Sequence, residues 1–359
     1  MSDGPALSDR IIPPAALPPL PELAGDVPLR WRPLRRSDAR RLHGLQAAAG
    51  ELDHPADAGS VAAVRHELRA PRFDPQRDGV IGLGPSGKAL AAGYASLGEE
   101  PESATPGGVP QHLEVALSGV VHPDLRGRGV GRQLLAWQEA RGLQLLATSR
   151  SMLPGLLAVH SRTACVAATA LYVSAGFGLE RSWASLARQV EPDLPERELP
   201  AGIRLVSFRL GHSEAVRIAL NEAFRDHWGF APIGRTEWRR QSAVGGFAPR
   251  LSVLAVEGGG ATHEPLRVAA FALTELHQSE WKLRGERFGY LATIGVVSRW
   301  RGTGLSTAVI ARALRAYRRR GLASAVLDVD AANPSGALAM YERLGFRERD
   351  RTATYAKRH

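Results

Sequence analysis

Apolar positions along the chain fall into short runs that end at turns, and the same succession is written twice. Leu29–Leu34 (LRWRPL) reads as a strand, and Ser37 and Asp38, both good N-cap residues, predict the helix after it. A second such strand, IRLVSF, starts at Ile203, with a helix predicted to open around Ser213. Further on, two β-branched runs, Leu117–Val121 and Ala292–Val297, each lead into a glycine-rich turn and then a helical pattern. After the second turn Leu305, Val309, Ala313 and Tyr317 recur every four residues, which predicts one buried helix face. A further strand is predicted at Ala325–Val329.

Proline marks the boundaries. Residues 1–27 are Pro-rich and unpatterned, the expected signature of a mobile or surface-draped tail. The Pro- and charge-rich VEPDLPERELPAG (Val190–Gly202) predicts a linker at 191–200 between an N-terminal domain at 28–190 and a C-terminal one at 201–359. Internal repetition supports the division. SGVVHPDLRGRGVGRQLL around Arg126 matches TIGVVSRWRGTGLSTAVI around Arg301, and ATALYVSAGF matches GALAMYERLGF, in the same order. A duplicated domain accounts for two ordered matches; chance does not.

Strand, glycine turn and helix in succession point several unpaired backbone N–H groups at one spot, at the positive end of a helix dipole. Glycine permits the positive φ such a nest requires, and a pyrophosphate is its natural guest. Arg126, Arg128 and Arg301 are placed to add charge-assisted bonds. One such turn alone is equally consistent with a plain tight turn. The P-loop and dinucleotide-fold readings fit poorly: no Lys-Ser/Thr follows, and Gly127, Gly129 and Gly131 are alternate residues.

The hexapeptide RGRGVG at Arg126–Gly131 resembles the Arg/Gln-x-x-Gly-x-Gly/Ala signature of the GNAT acetyltransferases, and RGTGLS at Arg301–Ser306 resembles it with Ser306 in the last place. The resemblance implies an α/β (α+β) protein of two tandem GNAT domains, each a mixed, mostly antiparallel central sheet flanked by helices. It implies that the turns Gly127, Arg128, Gly129, Gly131 and Gly302, Thr303, Gly304, Ser306 hold the pyrophosphate of coenzyme A. Val121 and Val296 would then pair with the pantetheine arm. It further implies Tyr341 as the general acid for the departing thiolate and Asn333 as a coenzyme contact. Outside that context Tyr341 reads as a helix tyrosine packed beside Leu338, Leu344 and Phe346. Copy one keeps Tyr172 but has Ala164 where copy two has Asn333, so chemistry is expected mainly in copy two.

The expected reaction moves an acetyl group from acetyl-CoA to the primary amine of a small-molecule or peptide acceptor. His227, Trp228, Phe230 and Trp238 are candidates for an acceptor wall, inter-domain packing being the other reading. Glu275 is the acceptor-side candidate for a general base and Glu114 its rough counterpart, both more readily read as structural or solvent-facing, and a water relay would leave no trace in the sequence. The competing class is a non-catalytic acyl-CoA-binding or partner-binding protein with degenerate domains.

Composition narrows this little. The chain has 359 residues and a net charge of +10, spread thinly. Its densest basic block, Arg315 with Arg318–Arg320, lies at a predicted helix end that suits cations, so nucleic acid is not an expected partner. A single cysteine, Cys165, excludes an intrachain disulfide and a Cys-rich metal site, and no His spacing predicts a metal. The acidic, Pro-broken N-terminus does not read as a signal peptide, and no apolar run reaches the ~18–20 residues of a membrane span. A soluble, cytoplasmic protein is expected; oligomeric state has no signature.

Overall fold

The computed structural model describes residues 5–53, 60–70, 72–98, 112–191, 198–225, 232–243, 246–258, 266–331 and 336–359. They form two compact units that exchange their final strands: unit one ends at Ser182 but includes Arg351–His359, and unit two is built on Trp183–Asp350. The sequence repeat is therefore linear whereas the packed units are not.

In unit one the Pro-rich start lies against the fold. The single turn α1 (Leu7–Arg10) buries Leu7 in a cluster with Leu113 and Leu146, and a short hairpin joins β1 (Leu23–Ala24) to β2 (Val27–Pro28). Trp31 Nε1 donates to Pro21 O at 2.7 Å and Gln144 Nε2 to Pro14 O at 2.9 Å, which supplies acceptors with donors along a segment whose prolines have no N–H. There follow β3 (Arg30–Pro33), α2 (Ala39–Asp53), α3 (Val61–Glu67), α4 (Pro75–Asp78), β4 (Gly79–Leu83), β5 (Ala89–Leu97), β6 (Leu113–Val121), α5 (Val130–Leu146), β7 (Gly155–Arg162), α6 (Val166–Ser174) and β8 (Gly178–Gln189). Asp38, expected to cap α2, directly precedes it as the last residue of a tight turn (Arg36–Asp38), but its carboxylate reaches backward. Its carboxylate accepts from both Arg32 guanidinium nitrogens at 2.7 Å and from the Arg35 N–H at 3.0 Å, because the charged fork outcompetes a helical amide.

Unit two contains β9 (Ile203–Ser207), α7 (Ser213–Ala223), α8 (Arg235–Ala243), β10 (Val253–Glu257), β11 (Arg267–Glu275), α9 (Gln278–Arg284), β12 (Phe288–Val296), α10 (Leu305–Arg320), β13 (Ser324–Asp330), α11 (Ala337–Arg343) and the start of β14 (Arg347–Arg358). Among the described residues each unit contributes six strands to its main sheet. Unit one runs β3-β4-β5-β6-β7-β14 and unit two β9-β10-β11-β12-β13-β8. Within each, every described pairing is antiparallel except one: β6 with β7 in unit one, β12 with β13 in unit two. The exchange is visible in register, with Thr352–Arg358 paired to Leu156–Arg162 and Trp183–Gln189 paired to Ser324–Asp330.

The predicted face of α10 holds. Leu305, Val309, Ala313 and Tyr317 are all buried with Ala325, Leu327 and Val329 of β13. On the opposite sheet face Val216, Leu220 and Trp238 cover Leu254, Val256 and Phe271. Tyr317 fits only because Gly289 leaves room: a Cβ there would stand 2.4 Å from the Tyr317 ring. Tyr317 Oη and Thr274 Oγ1 share a buried hydrogen bond of 2.9 Å, and Thr274 Oγ1 also donates to Leu251 O. Gly289→Ala is expected to lower unfolding stability by about 1–3 kcal/mol through overpacking, read as a lower urea midpoint with unchanged slope. An unchanged midpoint would mean that the ring shifts freely. No helix among the described residues is long and apolar enough to cross a membrane.

Candidate functional site

Each unit opens at the same place. β6 and β7 pair in parallel from Leu113↔Gly155 to Ala116↔Ala158 and no further, and β12 and β13 pair from Phe288↔Ser324 to Tyr290↔Val326. Beyond those pairs the strands part, and in unit one a cleft of about 990 Å³ lies between them, lined by Leu117, Val121, Val159 and Leu171. Gly119 and Gly93 meet the amide of Gln138, which reaches from α5 to donate to Tyr94 O and Ser118 O.

The glycine turns stand at the mouths. Gly127 and Gly129 have φ of 74° and 82°, Gly302 and Gly304 of 79° and 83°. Gly129 and Gly304 are the N-caps of α5 and α10. Among the described backbone groups none accepts from the N–H of Gly127, Arg128 or Gly129, nor from Gly302, Thr303 or Gly304. A Cβ on Gly127, Gly302 or Gly304 would meet no atom within 4 Å, so the space beside these glycines is open among the described residues. Three orphan donors at a helix N-terminus fit a pyrophosphate. Gly131 and Val121 line the unit-one cleft with them, and Val296 ends β12 in the corresponding position.

The arginine side chains are engaged elsewhere. Arg126 makes a bidentate pair with Asp53, the last residue of α2, at 2.7 and 2.6 Å, and Arg128 donates to Ala24 O at 3.0 Å. Arg301 donates to Ala223 O at 2.9 Å, and Ala223 is likewise the last residue of α7. In both copies this arginine ties the turn to the end of the unit's first long helix. Thr303 Oγ1 donates to Trp300 O at 2.7 Å, tightening the turn. Ser306 Oγ meets Met340 Sδ at 3.1 Å, which brings the start of α10 against α11.

Tyr341 follows Met340 on α11 and is 8% exposed, in the cluster that holds Leu305 and Phe346. Its ring stands edge-on to Phe346 with centroids 5.9 Å apart. Burial pushes its hydroxyl up to about 12, so it stays protonated through neutral pH. Tyr172 lines the unit-one cleft, and burial raises its proton affinity as well. Asn333, His227, Trp228 and Phe230 lie outside the described residues. Trp238 is buried on the α7 face, its Nε1 donating to Ser213 Oγ at 2.9 Å, and so packs as core.

Two carboxylates differ between the units. In unit one, hydrogen bonds from His112 and then His160 outweigh burial and hold Glu114 down to about 2, which makes it a poor proton acceptor. In unit two Glu275 accepts from His277 Nε2 at 2.9 Å and lies opposite Tyr290 in the sheet register. Tyr290 Oη in turn donates to Asp328 at 2.9 Å. Burial, then the Asp328 charge, raises the Tyr290 proton affinity well above the ordinary tyrosine range. Gly289 and Leu327 face α10, so the alternate residues Tyr290 and Asp328 face away from it, at the point where β12 and β13 part. Sequence reasoning passed over this pair. Its signal was present: an aspartate inside the otherwise apolar alternation AVLDV.

Comparison with known proteins agrees with the geometry. The profile of the acetyltransferase (GNAT) family matches residues 214–346. A mycothiol acetyltransferase of Parafrankia sp. is 31% identical over 349 residues, covering 92% of this chain and 98% of the other. A GCN5-related N-acetyltransferase from Sphaerobacter thermophilus superposes with a TM-score of 0.69 at 24% identity, over 95% of this chain and 97% of that one. A tandem GNAT protein from the clavulanic acid biosynthesis pathway gives 0.60 at 17% identity, over 92% and 98%. With two parted sheets, two glycine turns and a relative aligned almost end to end, the chain belongs to the GNAT acetyltransferase family and carries its fold twice.

Proposed function

We propose that the protein transfers an acetyl group from acetyl-CoA to the primary amine of a small-molecule or peptide acceptor, with chemistry mainly in unit two. The observation that carries this reading is the set of orphan N–H groups at Gly302–Gly304, in a turn that Ser306 holds against the helix of Tyr341. Coenzyme A, when bound, supplies the activated thioester. The chain supplies the rest. The turns bind the pyrophosphate, and Tyr341 holds a proton for a thiolate at neutral pH. Asp328, aligned by Tyr290, accepts a proton on the sheet face away from α10, while Glu275 adds charge that draws in an ammonium.

The name of the relatives, together with the resemblance of a tandem GNAT chain carrying the aromatic segment Leu220–Trp238 to mycothiol synthase, makes the cysteinyl amine of an aminosugar–inositol conjugate the first acceptor to assay. Peptide and simple aminosugar amines follow it. Thiol release from acetyl-CoA, measured across that panel, is expected to identify an acceptor. With it, Asp328→Asn is expected to lower kcat/KM for the amine by about ten- to a hundredfold and to leave the acetyl-CoA KM unchanged. An unaltered amine kcat/KM removes Asp328 from the mechanism without touching the acyl-CoA assignment.

A second reading has its own observation. Unit one has the described cleft and an intact turn, yet its Glu114 is held ionised by two histidines. This favours coenzyme A binding there without turnover.

A further inference from the structure

A second cavity of unit one, of about 760 Å³, lies far from the glycine turn. Leu113 of β6 and Leu145 of α5 line it, whereas the turn joins the other ends of these elements. Nine strand residues separate the two places by about 26 Å. Whatever occupies this cavity is therefore not coenzyme A held at Gly127–Gly131.

Its walls are unusually basic. Arg36, Arg69, Arg72, Arg77, Arg141 and Arg150 are six of its fifteen lining residues, in a protein with 46 Lys+Arg among 359. Among the described lining residues only Asp74 and Asp78 oppose them, and both accept hydrogen bonds within the fold. Asp78 Oδ1 accepts from Arg141 Nη2 at 2.7 Å and Nε at 3.1 Å, while its Oδ2 takes the Asp74 N–H at 2.8 Å. Asp74 Oδ1 caps α4 through the Gln76 N–H. Among the described residues no group pairs with the guanidinium of Arg36, Arg69, Arg77 or Arg150. Like charges gathered round one concave surface raise its potential, and an anion relieves their repulsion.

A strained backbone supplies an independent sign. Arg72 has φ of 62°, the only positive value among the described non-glycine residues. Left-handed backbone at a residue with a Cβ persists where something holds it, and such residues concentrate at binding sites. Here Arg72 lines the cavity and its Nη1 donates to Gly98 O at 3.4 Å.

We propose that this basin binds a small polyanion carrying two or more phosphate groups. Guanidinium forks match phosphate oxygens bidentately, and four arginines that no described group neutralises exceed what one phosphate satisfies. The buried Phe73, Leu113 and Leu145 beneath them give the ligand an apolar floor, as a nucleotide or similar organic phosphate would use.

The test titrates inorganic tripolyphosphate, then ATP, into the full chain at about 0.15 M salt, with and without saturating coenzyme A. Tripolyphosphate is expected to bind in both conditions and to weaken as salt rises. Arg69→Glu with Arg77→Glu is expected to reduce affinity by about tenfold or more, with melting temperature unchanged because both residues are exposed. Arg72→Gly, which relaxes the backbone, is expected to weaken binding while keeping the fold. Arg319→Glu with Arg320→Glu, at the end of α10, serves as the charge-matched control and is expected to change affinity by less than about twofold. The proposal is overturned by no binding in the wild type, by equal loss in the basin and control variants, or by binding that Gly129→Glu or Gly304→Glu removes and the basin variant leaves intact. Retention of duplex DNA in preference to tripolyphosphate overturns it too, in favour of a nucleic-acid surface.

Discussion

Tyr341→Phe is expected to lower kcat by about a hundredfold and to leave the KM for acetyl-CoA unchanged. The change removes one oxygen and no packing. The Phe ring still meets Phe346 edge-on, so melting temperature at neutral pH should hold. The loss falls on the proton that Tyr341 keeps. Burial raises its hydroxyl from the ordinary value near 10 to about 12, so the acid form is intact throughout the working range, and Tyr341 gives the rate no alkaline limb below that value. The same shift has a stability consequence with a definite sign. The unfolded chain releases this proton first, so the contribution of Tyr341 to stability is complete below about pH 10 and is lost as pH rises toward 12. In the Phe variant that loss should be absent. Tyr172→Phe, in the unit with Glu114 locked between histidines, is expected to stay within about twofold of wild-type turnover. Full activity in Tyr341→Phe would reduce Tyr341 to a core tyrosine; loss in Tyr172→Phe instead would move the chemistry to unit one.

Gly304→Glu is expected to abolish turnover and weaken coenzyme A binding in unit two by about a hundredfold, while Gly129→Glu does the same to binding in unit one and spares turnover. Both glycines are left-handed N-caps, where any side chain adds about 1–2 kcal/mol of strain. The carboxylate then brings a negative charge to the turn whose N–H groups lack a described backbone acceptor. Calorimetric titration of coenzyme A separates the two sites, each variant losing one set of heats. Arg126→Glu is a poorer probe, since it would set a carboxylate against Asp53 and pull the turn from α2. No heat in the wild type, and no competition with acetyl-CoA, would end the acyl-CoA reading.

Much of this architecture was legible because its signals are local. The four-residue spacing of Leu305 to Tyr317 reports directly on a buried face, and the first two glycines of RGRGVG report on positive φ, the third lying within α5. Long polar side chains follow no such period. Arg126 looked like a phosphate ligand because its neighbours make a nest, but its fork finds Asp53, 73 positions away. Arg301 likewise finds a carbonyl 78 positions distant. Trp238 suited an acceptor wall by composition, yet its amphipathic position on α8 sends it into the core. Asp328 was readable as an anomaly in an apolar strand; its partner Tyr290 was not, since only the register of β12 against β13 brings them together.

The exchange of final strands bears on how such a duplicated gene can evolve. Trp183–Gln189 of copy one completes the sheet of unit two, covering β13, and Arg351–Arg358 of copy two completes that of unit one. A gene trimmed to copy two alone would encode a sheet with a bare β13 edge, open to aggregation. Copy one can therefore lose every catalytic group and still be retained by selection, because its last strand belongs to the neighbouring unit's structure.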